Sequence, residues 1–241
     1  MAASVQDHPN YGMDVHTVQR EMAIPLRSKI RLFTATVQTL AEMRKEIGLL
    51  RLLAMLRNVK RRVDQALQEY DFSPMRARGL SEMDLRVILD RMLTGVEMAS
   101  EMGLEKAKEI RMAASRAIAD DYFGSVFPTQ QYLEQCEGGF FPNFKAFIAA
   151  FIAASGEKGI QGGCIVEPSP DMFIQRIEFC AMAEVAEILG DRDLCWWNGC
   201  VADDFFFPGY MAKAGGRYSR DGTLATGAPT CDFCYERKNV E

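Results

Sequence analysis

The amino-acid sequence predicts an α+β fold, with a helical first half followed by a small antiparallel sheet and short helices. Three observations support this fold class. Apolar residues recur at helical spacing over 30–152, Gly and Pro crowd together over 159–170, and short apolar segments with polar interruptions follow.

The change of character after Gly156 also suggests how the chain is organised. We expect residues 1–24, which show no periodic pattern, to form a flexible N-terminal tail. Residues 25–241 are expected to form a single α+β domain, with a helical part over 25–156 and a cysteine-rich α/β part over 157–241.

The first two helices are predicted from apolar residues spaced three or four positions apart. The pattern begins after Pro25 and continues to about Tyr70, with an interruption at Gly48. The pair Ser73-Pro74 then breaks it, because proline does not continue a helix.

Further helices follow in the first half. Ser81 and Asp84 form a capping pair for the next helix, and 104–122 and 128–136 continue the series. An aromatic and aliphatic stripe over 144–152 is interpreted as core packing. On the helix over 104–122 we expect the charged residues to face outward: Lys106, Lys108, Glu109 and Arg111.

The second half is predicted to contain turns, strands and short helices. Turns are expected at the glycines and prolines, which are Gly159, Gly162, Gly163, Pro168 and Pro170. The strands are expected over 172–179, 215–224 and 230–237, and the helices over 181–189 and 201–211.

Composition excludes several classes of function. The 241 residues are 48% hydrophobic and 25% charged, with a formal net charge of −5. A nucleic-acid-binding protein would need a basic excess for phosphate contacts. The chain has neither the ~20 apolar residues of a membrane-spanning helix nor a signal peptide. We expect a cytoplasmic protein acting on a small molecule, without nucleic-acid or membrane partners and with self-association left open.

Histidine and cysteine content narrows the chemistry further. Both histidines, His8 and His16, lie in the predicted tail, so acid–base work falls to Asp, Glu, Cys, Lys or Tyr. The seven cysteines are an odd number in a chain that is not short, which is unlike a disulfide scaffold. Three of them, Cys136, Cys164 and Cys195, are interpreted as core residues.

Several short motifs occur in one order over residues 172–237. A cysteine precedes a helix that ends in Leu-Gly, a Cys-x-x-Asp follows, and an Arg and a Thr-Leu-Ala-x-Gly lead to Cys-Asp-Phe. These are Cys180, Leu189-Gly190, Cys200 to Asp203, Arg217 or Arg220, Thr223 to Gly227, and Cys231-Asp232-Phe233. The order resembles that of the L-2-amino-thiazoline-4-carboxylic acid hydrolase family. The chain departs from the family in Cys234, where a basic residue is common, and in Trp196-Trp197.

The resemblance implies a small-molecule hydrolase, or a related ring-opening or ring-closing enzyme, acting on a cyclic amidine or thiazoline-like centre. In the family's reaction, water attacks the amidine carbon and the ring sulfur leaves as a thiolate. Such a site needs a carboxylate for the cationic amidine, a cation for the substrate carboxylate, and a nucleophile or metal-bound water. The candidates for these three roles are, in order, Asp203 and Asp232; Arg217 or Arg220; and Cys180, Cys200 and Cys231.

Two of these assignments rest on further arguments from the residues. Asp232 is the preferred carboxylate, because we expect it to point inward from a strand between Cys231 and Phe233. Trp197 and Phe206 are candidates for contacting the substrate, since an aromatic pocket would suit a larger substrate from a biosynthetic pathway.

The same cysteines leave two alternatives open. One is a non-catalytic small-molecule- or metal-binding domain, in which Cys180, Cys200 and Cys231 hold zinc or an iron–sulfur centre. The spacing of Cys231 and Cys234 also matches a zinc knuckle that Cys195 and Cys200 would complete. The other alternative is a structural helical protein whose thiols fill the core. We expect no cofactor.

Overall fold

The computed structural model describes residues 3–14, 17 and 26–237 of the chain. In these residues a helical first half is followed by a small antiparallel sheet, which confirms the predicted α+β class. The helices are α1 (Leu26–Ile47), α2 (Leu49–Glu69), α3 (Ser73–Ala77), α4 (Glu82–Met102), α5 (Leu104–Val126), α6 (Gln130–Gln135), α7 (Phe140–Glu157), α8 (Ala181–Ile188) and α9 (Val201–Lys213). The strands are β1 (Gln161–Ser169), β2 (Met172–Cys180), β3 (Gly216–Arg220) and β4 (Cys231–Arg237).

The predicted helix boundaries agree with the structure where a local signal exists. The side chain of Ser81 accepts a hydrogen bond from the backbone N–H of Asp84 at 3.1 Å, which is the expected cap of α4. The long predicted helix breaks at Gly48, between α1 and α2. These residues set the ends of the helices that form one wall of the candidate site.

The strands pair in the order β1-β2-β4-β3, and every neighbouring pair is antiparallel. Side chains alternate between the two faces, so that Cys231, Phe233 and Tyr235 of β4 are buried. Asp232 and Cys234 fall on the other face. The predicted strand over 215–224 is shorter than expected, because a 3₁₀ turn at Leu224–Thr226 follows the end of β3.

The segment predicted as turns forms strand β1 instead. It lies at an edge of the sheet, where Pro168 is tolerated because the outer side of an edge strand needs no ladder partner. A β-bulge occurs between Gly162 and Gly163. A Cβ atom at Gly163 would collide with the carbonyl oxygen of Arg176, so glycine allows β1 and β2 to approach closely.

Residues 3–14 differ from the predicted flexible tail, because they pack against the body of the protein. The side-chain amide of Asn10 donates to the carbonyl oxygens of Ser125 and Val126 at 3.1 and 2.8 Å. Asp14 forms an ion pair with Lys158 at 2.6 Å. These polar contacts produce no periodic pattern in the sequence, so the sequence did not predict them. The rest of the predicted tail, apart from Thr17, lies outside the described residues.

Two clusters of buried apolar residues form the interior. One joins α2, α4 and α8, and the other joins α7, α9 and the inner face of the sheet. After α8 the chain passes through a helical turn, Asp193–Cys195, and a π-helical turn, Trp196–Cys200, which leads directly into α9. The π turn packs on the first cluster through Trp196, Trp197 and Cys200.

No helix in the described part of the chain is both long enough and apolar enough to cross a membrane.

Candidate active site

A cavity of about 420 Å³ lies between the helical half and the sheet. Its walls come from α4, α5, β2, the π turn, α9 and the facing ends of β3 and β4. The residues in its lining that can bind or react with polar groups are Asp90, Arg91, Thr94, Arg111, Ser115, Tyr122, Ser155, Gln161, Gln175, Cys180, Asn198, Cys200, Asp203, Arg220 and Cys231. The cavity therefore brings together five predicted site residues: Cys180, Cys200, Asp203, Arg220 and Cys231.

Cys180 is the thiol whose surroundings most favour a thiolate. It occupies the N-cap position of α8, at the end of β2. A hydrogen bond from the Cys195 thiol lowers the pKa of Cys180, and hydrogen bonds with the backbone N–H groups of Met182 and Ala183 add to this effect against the opposing effect of burial. A thiolate at a helix N-terminus is also favoured by the helix dipole.

Cys195 and Cys200 complete a short chain of thiols beside Cys180. Their Sγ atoms are 3.5 Å apart. The hydrogen bond to Cys180 raises the pKa of the buried Cys195 thiol well above its usual range. Cys195 therefore stays protonated and donates this hydrogen bond to Cys180. Cys195 was interpreted as core, and its buried position agrees with that. Its role beside Cys180 has no signal in the sequence.

Cys231 faces the same cavity but is a poor nucleophile. Burial raises the pKa of its thiol to about 12. The Sγ atom accepts a hydrogen bond from the backbone N–H of Leu224 at 3.1 Å. At neutral pH we expect Cys231 to be a neutral thiol in the cavity wall.

Asp203 of α9 and Arg220 of β3 form a largely buried ion pair in the cavity wall. Nη1 of Arg220 donates to Asp203 at 3.0 Å, and its Nη2 donates to Asp204 at 2.6 Å and to the carbonyl oxygen of Cys200 at 2.9 Å. Burial raises the pKa of Asp203 to about 7, although the Arg220 charge opposes this shift. Burial acts against the charge of Arg220 itself, but the Asp203 and Asp204 carboxylates raise its pKa.

A second cationic group lies on the helical wall. Arg111 lines the cavity and donates from Nε to Oδ1 of Asn198 at 2.9 Å. Burial and the like charge of Arg91 lower the pKa of Arg111 to about 10. The prediction that Arg111 faces outward is wrong. It points to the cavity because α9 and the π turn pack over this side of α5, which the helical pattern does not reveal.

Asp232 and Arg217 lie outside the cavity. The expectation that Asp232 points inward is wrong, since Cys231 and Phe233 take the inner face of β4 and Asp232 takes the outer one. There Asp232 binds Nε and Nη2 of Arg176 at 3.0 and 2.6 Å, and this pairing lowers its pKa. Arg217 is exposed on β3, because it points to the opposite face of the strand from Tyr218 and Arg220.

The two aromatic candidates are core residues. Trp197 is fully buried in the cluster of the helical half. Phe206 is buried as well and stacks on Phe123 at a centroid distance of 5.0 Å. Neither belongs to the cavity lining, whereas Phe123, Phe207 and Phe233 do.

The other cysteines and the histidines lie away from the cavity or outside the described residues. Cys234 faces away from Cys231 across β4, because residues three apart on a strand point to opposite faces, and this geometry does not form the predicted zinc knuckle. Among the described residues no group of three His, Cys, Asp or Glu side chains is arranged to hold a metal ion. Cys164 is exposed on β1 rather than in the core. His8 packs against Tyr132 and Phe147, and His16 is outside the described residues.

No family model, curated protein or solved structure matches this chain.

Proposed function

We propose that the protein is a thiol-dependent hydrolase that opens a small cyclic amidine of the thiazoline type. One observation carries the proposal: Cys180, whose pKa is lowered, faces the same cavity as Asp203, whose pKa is raised to about 7. A thiol whose ionisation is favoured and a carboxyl group that can gain and lose a proton near neutrality suit the two roles that this reaction requires. The order of motifs that resembles the thiazoline carboxylate hydrolases supports the choice of substrate class.

The first step uses Cys180 as the nucleophile. Its thiolate adds to the amidine carbon of a protonated cyclic isothiourea, and the bond from that carbon to the ring sulfur breaks. The ring sulfur takes the electron pair and receives a proton from the Asp203 carboxyl group. The products of this step are a free substrate thiol and an isothiouronium group attached to Sγ of Cys180.

The second step restores the enzyme. Asp203, now ionised, removes a proton from water as the water oxygen bonds to the same carbon. The bond to Sγ then breaks, the Cys180 thiolate leaves, and the protonated urea loses a proton to solvent. The overall reaction consumes one water molecule and converts the ring into an N-carbamoyl aminothiol.

The volume of the cavity suits this class of substrate. About 420 Å³ lies in the range of small-molecule pockets, which is ~300–1,000 Å³. Apolar side chains such as Phe123, Ile177 and Phe207 form part of the lining and would exclude bulk water from the bound ring.

The proposal is tested by incubating the protein with 2-amino-thiazoline-4-carboxylate and measuring the free thiol that ring opening releases. We expect thiol release with a matching urea product in mass spectrometry. Iodoacetamide should abolish release in step with alkylation of Cys180, while a Cys164→Ser variant, which lacks a thiol outside the cavity, keeps full activity. Undiminished release after complete alkylation of Cys180 would contradict the proposal.

Asp203 should determine the alkaline limb of the pH dependence. The first step needs Asp203 protonated, and its pKa is about 7, so kcat/KM should fall as the pH rises through 7. In Asp203→Asn we expect kcat/KM to drop ~10²-fold or more and this limb to disappear, because an amide transfers no proton.

The neighbouring carboxylate provides the control for this experiment. Asp204 binds the same guanidinium but is not part of the cavity lining. Asp204→Asn should therefore keep the limb near pH 7. A limb that persists in Asp203→Asn and vanishes in Asp204→Asn would exclude Asp203 as the proton donor.

A further inference from the structure

Arg111 is a cation in the cavity wall whose charge is not matched by a carboxylate. Within the described residues Arg111 forms no ion pair with a carboxylate, and its side chain donates to the neutral amide of Asn198. Arg220 differs, since two carboxylates and a carbonyl oxygen already occupy its donors. A partly buried guanidinium that forms no ion pair, and whose charge is only partly offset by Asp90, is costly unless it serves a ligand.

The fold holds Arg111 in a fixed orientation. The side-chain amide of Asn198 donates to the carbonyl oxygen of Leu194 at 2.9 Å, which leaves Oδ1 to accept from Nε of Arg111. Asn198 itself lies in the π turn, a feature that is frequent at functional sites. A Cβ atom at Gly95 would lie 2.5 Å from Nδ2 of Asn198, so glycine is what lets α4 pack against this turn.

Arg91 adds a second positive charge to the same wall. It lines the cavity one helix away from Arg111, and its guanidinium forms a hydrogen bond with Tyr122. Asp90 also lines the cavity and offsets part of this charge. With Nε of Arg111 bound to Asn198, its two Nη groups remain for a ligand, in the planar arrangement that binds a carboxylate through two hydrogen bonds.

We infer that Arg111, assisted by Arg91, binds the carboxylate of an anionic ligand at the helical wall of the cavity, with the reacting centre of that ligand at Cys180. The identity of the ligand rests on the proposed function, but the anion site does not. The helical half then supplies the cation for the substrate carboxylate, a role for which the sequence offered Arg217 or Arg220.

The test uses two alkylating reagents that differ in charge. Iodoacetate carries a carboxylate and iodoacetamide is its neutral counterpart, so the ratio of their rates at Cys180 reports on attraction of an anion. The exposed Cys164 of the same molecule is the internal reference. In Arg111→Met the ratio at Cys180 should fall about 10-fold, the usual effect of losing a charged hydrogen bond, while the ratio at Cys164 stays constant.

Lys106 provides the matched control, since it is a cation of the same helix that pairs with Glu46 and Glu109 away from the cavity. Lys106→Met should change the ratio less than 2-fold, as a screened surface charge would, and Arg111→Lys should keep most of the preference for the anionic reagent.

Independently of any variant, sodium acetate should protect Cys180 of the natural protein from iodoacetamide more strongly than sodium chloride at equal concentration. An unchanged ratio in Arg111→Met, or no difference between acetate and chloride, overturns the inference.

These outcomes separate the anion site from the hydrolase. If the ratio falls in Arg111→Met but no thiol is released from 2-amino-thiazoline-4-carboxylate, the anion site stands and the hydrolase proposal fails. If thiol is released and Arg111→Met leaves both the ratio and KM unchanged, the hydrolase stands and the anion site fails.

Discussion

Replacing Cys180 by serine is expected to lower kcat/KM for ring opening by about 10³-fold or more, because a serine hydroxyl at this position stays protonated at neutral pH. The three groups that stabilise the Cys180 thiolate, which are the Cys195 thiol and the backbone N–H groups of Met182 and Ala183, cannot ionise a hydroxyl. The measurement is thiol release under steady-state conditions, with the folded state checked by circular dichroism.

Variants of two other cysteines distinguish loss of the nucleophile from loss of any thiol near the cavity. Cys231→Ser removes a thiol from the same cavity, but one whose pKa is about 12, and should cost less than about 10-fold in kcat/KM. Cys195→Ala removes the main hydrogen bond that lowers the pKa of Cys180. We expect it to move the acid limb of the pH profile to higher pH. Because Asp203 sets the alkaline limb near pH 7, the two limbs then overlap and the maximal kcat/KM should fall. Equal losses in Cys180→Ser and Cys231→Ser would refute Cys180 as the nucleophile.

The helical half was accessible from the sequence because each of its signals is local. Apolar spacing located α1, α2 and α7, and the Ser81 cap located the start of α4. Strand β1 was missed because clustered glycines and prolines are typical of turns. Here the proline is tolerated because β1 is an edge strand, and the glycines allow a close approach to β2. Both reasons depend on a partner strand, which the sequence does not display.

The candidate site was partly accessible for the same reason. Motif order picked out Cys180, Asp203 and, as one of two alternatives, Arg220, and the fold brings these three into one cavity. Side chains alternate between the two faces of a strand, so neighbouring residues point in opposite directions. The sequence analysis assigned Asp232 to the inner face, which Cys231 and Phe233 occupy instead. Arg111 could not be found, because its direction depends on α9 and the π turn, which pack across α5.

Removing the guanidinium of Arg220 is expected to destabilise the fold more than any other single change on this strand. The side chain is 3% exposed and binds Asp203, Asp204 and the carbonyl oxygen of Cys200, and it also lies over the Phe233 ring at 5.0 Å. Arg220→Met would leave these acceptors without a counter-charge. We expect a loss of about 3–5 kcal/mol in the free energy of unfolding, measured by urea denaturation.

The loss should depend on pH in a defined direction. Without Arg220, the pKa of Asp203 should rise further above its unfolded value, so the folded state binds a proton that the unfolded state releases. Stability of Arg220→Met should therefore fall as the pH rises from about 4 through 7, and adding Asp203→Asn to the variant should remove much of this dependence. Arg217→Met, on the exposed face of β3, is the control and should stay within about 0.5 kcal/mol of the natural protein. A comparable loss in both variants would show that Arg220 acts as a surface charge and not as the buried partner of Asp203.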